Sequence, residues 1–440
     1  MPSPLTQTPA SALPTRNADL MAAGQPRPRP ERLGWTRVIW AGAGSLVASF
    51  YIGTGDISIA TVMGAKFGFS MWWTYFLFGI AGWAMMDMSV RYFLRFGRTP
   101  MTIFKEAHPL LGIYMLITVV GCAILGASSQ WNACAMVLSG FFPQLPIEAA
   151  GGAAASAALL LVLVGTYVRI EKLFLFLLVS LIAVFFVSAF FLHPPWSEVV
   201  SGLRPNAPGP GWETLFSANA GSIINAWLIL IYPYTMMEKG WYSHEIEQKI
   251  NLQYLARIDI SWGMLAAAIA ALPIMACATA AARPYGYVPL NYMDFALMLE
   301  PVAGPKSAQL FLSGLFIAAW TSGVGWWVAG AYALMDLFNQ PIKLNRPTTR
   351  ITLVLLAIPS VALLFVRLNP VYQILFFASF LAVVFPVMAV VLFWRISRKD
   401  MGLFRWNLAH PRGWILFLVD LFAVIVSLYV GGFTVYEHFH

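Results

Sequence analysis

Long apolar runs alternate with short polar connections along this chain, and the runs are too long for strands or for the helices of a soluble core. Eleven segments stand out: 38–68, 70–94, 109–141, 150–169, 173–193, 217–240, 255–282, 307–338, 350–366, 371–395 and 413–434. A helix of about 20 mostly apolar residues crosses about 30 Å of hydrocarbon. The pattern therefore predicts an all-α integral membrane protein with about eleven transmembrane helices.

Two of the segments are interrupted near their middles. The first carries Gly53, Thr54, Gly55 and Asp56. Each glycine weakens a helix by roughly 1 kcal/mol relative to alanine, and a carboxylate near mid-bilayer costs about 2.5–3.5 kcal/mol unless it finds a partner or water. The sixth carries Tyr232, Pro233, Tyr234 and Thr235, followed by Glu238 and Lys239. Proline removes a backbone hydrogen bond and clashes with the carbonyl four residues earlier. If segments 1–5 and 6–10 form two inverted repeats, with the eleventh added, the interruptions fall in the first helix of each half. Paired interruptions of that kind point to a transporter's binding site, because unwound carbonyls can face a cation. Either kink alone is as readily an ordinary feature of a membrane helix.

Composition sharpens this picture. Of 440 residues, 59% are hydrophobic and 10% charged, against about 25% charged in a soluble domain. Residues 1–35 lack the apolar core of a signal peptide and hold Pro26, Arg27, Pro28, Arg29, Pro30 and Arg32. They are expected to form a disordered basic tail, with 36–440 as the transporter domain. The net charge of +8 could suggest nucleic acid, but the basic residues are dispersed among short loops. With the N-terminus inside, 22 of the 27 Lys and Arg residues fall on the cytoplasmic side, leaving Lys66, Arg204, Arg283, Lys306 and Arg367 outside. That asymmetry supports a cytoplasmic N-terminus, in a bacterial inner membrane. Cys122, Cys134 and Cys277 lie inside apolar segments without metal-ligand spacing and are expected to pack. No phosphate-cradling loop is present and the histidines stand apart from acidic or thiol partners, so no enzyme and no resident cofactor are expected.

Other polar residues inside the segments have a bland and a functional reading. Ser128, Ser129, Gln130 and Asn132 could join helices or line a vestibule. Trp320, Trp326 and Trp327 could pack or could form a cage for an organic cation. Asp87 and Arg91, four apart, read as an ion pair, and Asp259 as an interface residue. Glu238 and Lys239 read either as an interfacial pair or as gating and relay groups, with Lys239 neutralising an empty Asp56 site.

The stretch GTGDISIATVMGAKFGFSMWW resembles the first helix of the Nramp family of divalent-metal transporters, in the APC superfamily. In that family an Asp-Pro-Gly-Asn break precedes a Phe-Gly-aromatic turn, here Phe67, Gly68 and Phe69. MDMSVRYFLRFGRTP is similar to the end of the family's second helix, and LFLSGLFIAAWTSGVGWWVAGAYALMDLF to its eighth. The resemblance covers about 35–435 and implies an inverted-repeat transporter with broken helices 1 and 6.

The departures are specific. The family's metal-binding Asp falls on Gly53 and its Asn on Asp56, so the acidic charge is kept but displaced by three residues. Its sixth-helix thioether falls on Tyr232, its Asn on Thr235 and its His on Lys239. A tenth-helix Gln falls on Val384, and the third-helix acidic residues of its proton route on Ala127 and Gln130.

The reading that results is a secondary transporter or facilitator of a small divalent metal cation, without proton coupling through the third helix. The expected site is Gly53, Thr54, Asp56, Tyr232, Pro233 and Thr235, with Glu238, Lys239 and Gln130 as gating or relay groups. Its partners are the cation and membrane lipid, with the oligomeric state open. The alternatives are a carrier of an organic cation or amino acid on the same fold, and a non-transporting sensor or assembly subunit that kept the scaffold.

Overall fold

The computed structural model describes residues 53–164, 197–297 and 304–439, together with scattered positions between 173 and 195. The basic tail and the first half of the 38–68 segment lie outside the described residues. Among those described there are helices and no strands. α1 is Thr54–Phe67, α2 Trp73–Phe96, α3 Pro100–Ala107, α4 Pro109–Phe141 and α5 Ile147–Val164. After the short α6, Ser197–Ser201, come α7, Trp212–Ile224, and α8, Ala226–Glu238. α9 is Ile246–Ala281, α10 Tyr292–Leu297 and α11 Pro305–Leu337. α12 is Pro347–Ala362, α13 Pro370–Ser397 and α14 Pro411–Phe439.

Eight stretches among the described residues are long and apolar enough to cross a membrane: 109–141, 147–164, 212–238, 246–285, 311–337, 347–366, 370–397 and 411–437. They coincide with eight of the expected segments. α2 matches a ninth but carries Asp87, Arg91 and Arg95, and stands outside the apolar set. The 246–285 element begins nine residues before the expected 255, because Gln248, Lys249 and Gln253 extend the helix beyond its apolar part.

Local chemistry sets the helix ends. α1 starts at extended Gly53 and places Asp56 at its third position, where a carboxylate meets the free N–H groups and the positive end of the dipole. α2 stops at Gly97, whose φ of 66° is left-handed backbone. α4 and α13 each begin with proline behind a capping side chain. His108 accepts from the Leu110 N–H, and Asn369 from those of Val371 and Tyr372.

α4 and α11 form the central pair, packed antiparallel through reciprocal ring-into-glycine contacts. Trp326 lies where a side chain at Gly126 would be, and Trp131 where one at Gly323 would be. α7 presses its backbone against α13 at Gly221, where a Cβ would lie 1.8 Å from the Ala378 carbonyl oxygen. A charge quartet, buried but for the half-buried Arg257, ties α2, α9 and α14 together. Asp87 receives Arg91 at 2.9 Å and Arg257 at 2.7 and 3.1 Å. Arg91 also bonds Asp420, which accepts from the Trp406 indole at 2.7 Å. The expected Asp87–Arg91 pair is thus half of a larger assembly. All three cysteines are buried and free.

Candidate functional site

Asp56 is 7% exposed, and its two carboxylate oxygens face different helices. Oδ2 accepts from the Gly53 backbone N–H at 3.1 Å, and Oδ1 accepts from the Ser222 hydroxyl on α7 at 2.7 Å. No Lys, Arg or His among the described residues makes a salt bridge to it. Neighbouring Thr54 donates its hydroxyl to Gln130 Oε1 on α4 at 2.8 Å. Gln130 in turn donates to Ser129 at 3.3 Å. Ser322 on α11 closes the other side, with its oxygen 2.9 Å from where a Cβ on Gly53 would stand. One carboxylate, three hydroxyls, a side-chain carbonyl and helix-end backbone therefore converge at the start of α1. Oxygen atoms of this kind are hard donors, suited to hard cations. Among the described residues there is no cluster of three or more His, Cys, Asp or Glu that could hold a metal without help.

Gln373 on α13 clasps α4 beside this site. It accepts from Asn132 at 2.7 Å and donates to Ser128 at 3.0 Å. Of the polar residues expected in the third segment, Gln130 joins the site and Ser128 and Asn132 bind a neighbouring helix.

The second interruption is not where the sequence reading placed it. α8 runs unbroken from Ala226 to Glu238 with Pro233 inside it, and the break lies at Asn225. Asn225 has φ 45° and ψ 85°, and its side chain accepts from the N–H groups of Trp227 and Leu228 at 3.2 and 3.4 Å. Asparagine tolerates left-handed backbone and caps a helix start, so it ends one helix and begins the next. Pro233 falls on the eighth residue of α8, where the surrounding helices hold the chain helical despite its missing donor.

Tyr232, Pro233 and Thr235 therefore sit two to three turns past the break, and the structure does not bring them to Asp56. The Tyr232 hydroxyl donates to Asp259 at 2.9 Å, and the Thr235 hydroxyl to the Tyr232 carbonyl at 2.8 Å. Lys239 does not neutralise Asp56 either. Fourteen residues past Asn225, at about 1.5 Å each, put it about 20 Å along the helix. There its ammonium lies 3.4 Å from Asp259 and 4.6 Å from the Trp241 ring centre. Asp259, expected at an interface, is buried in this pairing. Glu238 accepts from Tyr332 on α11 at 2.6 Å, and Tyr234 donates to Asp336 at 3.0 Å. These bonds fasten α8 to α9 and α11.

The three expected tryptophans separate as well. Trp320 donates to the Ala154 carbonyl and Trp327 to Ser360, so both pack. Trp326 instead meets Trp227, two residues past the break. Ser222, Asn225 and Trp227 are not among the expected residues, and Ser322, which stands with Thr321 beside the expected tryptophans, is not among the expected site residues. An Asn inside the apolar run Gly221-Ser222-Ile223-Ile224-Asn225 carried a signal for the break; Ser222 and Ser322 carried none.

This arrangement has relatives. The chain is 22% identical over 308 residues to the divalent metal cation transporter MntH 1 of Pseudomonas aeruginosa, covering 64% of this chain and 65% of that protein. It is 22% identical over 355 residues to the divalent metal cation transporter MntH of Ralstonia nicotianae, covering 75% and 77%. Its fold matches the crystal structure of the Eremococcus coleocola manganese transporter in complex with an aromatic bis-isothiourea substituted compound. The TM-score there is 0.73, with 17% identity over 93% of this chain and 90% of the other. The profile of the natural resistance-associated macrophage protein-like family matches residues 44–431. With nearly all of its helices inside that match, the chain belongs to the Nramp family, whose members are integral membrane transporters and not enzymes.

Proposed function

We propose that this chain carries a small divalent metal cation, bound at the start of α1 by Asp56. The observation that carries the reading is the buried Asp56 carboxylate, held by Ser222 and the Gly53 N–H and given no cationic partner by the described residues. A charge in that position needs a counter-charge, and a transported cation supplies it. Thr54, Ser222, Ser322 and carbonyls next to Gly53 and Asn225 complete a hard oxygen shell, which favours Mg²⁺, Ca²⁺ or Mn²⁺ over softer ions. The names of the two curated relatives and of the solved neighbour support a divalent metal. Tyr232, Pro233 and Thr235 then orient α8, and alternating access rocks α1 and the α7–α8 pair against α4, α11 and α13.

In this reading transport is not obligatorily coupled to protons, because Ala127 and Gln130 cannot carry them as carboxylates do. Glu238 is the acidic group nearest the end of α8, and it is held by Tyr332. The protein sits with its N-terminus in the cytoplasm of a bacterial cell, as the distribution of Lys and Arg predicts. The test is flux of Mg²⁺, Ca²⁺, Mn²⁺ and Cd²⁺ into liposomes holding the purified chain, with amines as the contrast and internal pH recorded. Uptake of a hard divalent ion without acidification is expected. Transport of amines alone would replace the reading with the organic-cation one, and cation-driven acidification abolished by Glu238→Gln would make Glu238 a relay.

A further inference from the structure

Three aromatic rings from three different helices meet a few residues beyond the positions that touch the start of α1. Trp326 on α11 lies 5.1 Å from Trp227 on α8 at an interplanar angle of 33°, and 5.1 Å from Phe377 on α13 at 77°. All three are buried. Two of these helices, and α7 just before α8, touch the Gly53–Asp56 region a few residues earlier. On α11, Ser322 abuts Gly53, four residues before Trp326. On α13, Ile374 abuts Gly55, three residues before Phe377. On α7, Ser222 bonds Asp56, five residues before Trp227 across the Asn225 break. One turn advances a helix by about 5.4 Å, so Trp326 and Phe377 lie about one turn beyond the residues that touch Gly53 and Gly55, and Trp227, two residues past the Asn225 break, joins them in one layer. In the orientation proposed above, that is the cytoplasmic side of Asp56. Trp326 cannot withdraw, because its ring already occupies the space a side chain at Gly126 would need, 2.6 Å from that Cβ position.

We propose that Trp326, backed by Gly126 and flanked by Trp227 and Phe377, sets the size limit of the Asp56 site. The layer admits a compact metal ion and excludes methylated ammonium ions, which carry the same sign of charge. The sign of the charge does not make this distinction, since Asp56 attracts both, although the doubly charged metal is attracted more strongly. Aromatic faces cannot make it by repulsion, since they attract quaternary ammonium. The oxygen donors favour an ion that can coordinate them, and the interlocked rings add a limit of volume. The proposal rests on the reading of Asp56 as a cation site.

The experiment measures Mn²⁺ uptake by the full chain in liposomes, with tetramethylammonium and choline as competitors, alongside Mn²⁺ binding to protein in detergent. The wild type should bind and carry Mn²⁺ without competition from either amine. Trp326→Ala should let tetramethylammonium compete, with an inhibition constant lowered about tenfold or more, the range over which pocket contacts usually discriminate. Trp326→Phe should keep the exclusion. Gly126→Ala, which pushes the ring toward the site, should slow Mn²⁺ uptake, and the Gly126→Ala/Trp326→Leu double variant should restore it. The double variant and Phe377→Leu, which should admit tetramethylammonium in the same way, serve if Trp326→Ala fails to fold. A Trp326→Ala protein that binds Mn²⁺ normally and still excludes both amines overturns the size limit. A wild type that binds tetramethylammonium and no metal overturns the metal reading itself and makes the layer a cage.

Discussion

Two of the places where this protein buries carboxylates treat them differently. In the quartet, Asp87 and Asp420 face Arg91 and Arg257, so two negative charges meet two positive ones, and the Trp406 indole adds a further donor. At the start of α1, the described residues give Asp56 a hydroxyl and a backbone N–H and no cation. A balanced cluster needs nothing from outside and ties three helices together. An unbalanced one is stable only with something that completes it. Under the function proposed above, the difference separates a structural use of buried charge from a functional one without reference to where either lies in the sequence. It predicts opposite responses to the loss of a charge.

The largest effect is expected in the quartet. Removing one member of a buried ion pair leaves its partner unsatisfied and costs about 3–5 kcal/mol. Arg91→Met should therefore lower the stability of the purified protein by about that much, since Asp87 and Asp420 both lose a partner. Thermal or denaturant unfolding in detergent measures it. A variant as stable as the wild type would mean that the quartet is not what joins α2 to α14.

Asp56→Asn should do the reverse. Asparagine keeps the size and accepts from Ser222 through its carbonyl, while the charge and its cost of about 2.5–3.5 kcal/mol disappear. Stability should be unchanged or raised, and metal uptake should fall to near the background of empty liposomes. A normally transporting Asp56→Asn protein would remove the functional side of the comparison.

Ser222→Ala is intermediate. The hydroxyl is a neutral partner of a charged group, and hydrogen bonds to charged groups contribute about 1.5–3 kcal/mol. If the serine orients Asp56 for the ion, metal affinity should weaken about tenfold, equivalent to about 1.4 kcal/mol. Transport at saturating metal should be little changed. Titration of metal binding decides it, and unaltered affinity would confine Ser222 to packing.

Much of this could be read from the chain alone, for identifiable reasons. Segment length reports membrane helices directly, because the bilayer fixes it, and eight expected segments coincide with apolar helices. Asp56 stood out because a carboxylate beside two glycines in an apolar run has few explanations. The second break was misplaced because Pro233 is the louder signal. Proline is tolerated in membrane helices when neighbours hold the backbone, while Asn225, a quieter signal in an apolar run, breaks the chain through left-handed backbone and its capping side chain. The Lys239 assignment failed with it, since eight residues of extra helix carry that side chain away to Asp259. Ser222 and Ser322 could not be assigned to the site because small hydroxyl residues are common between membrane helices, and only packing shows which ones reach Asp56 or Gly53.

The smallest effect separates the two proposed breaks from each other. If the chain opened at Pro233, Met236 would stand one turn from the ion, and its thioether could favour a soft metal. With the break at Asn225, Met236 lies eleven residues further, about 16 Å along α8 at 1.5 Å per residue. It is fully buried there, and a buried Met acts chiefly as adaptable packing. Met236→Leu nearly conserves volume, so it should cost less than about 1.5 kcal/mol in stability. The ratio of Cd²⁺ to Mn²⁺ uptake should match the wild type. A selective loss of Cd²⁺ uptake would place the thioether in the site and return the second break to Pro233, while an unchanged ratio leaves Asp56 and its hydroxyl neighbours to set the choice of ion.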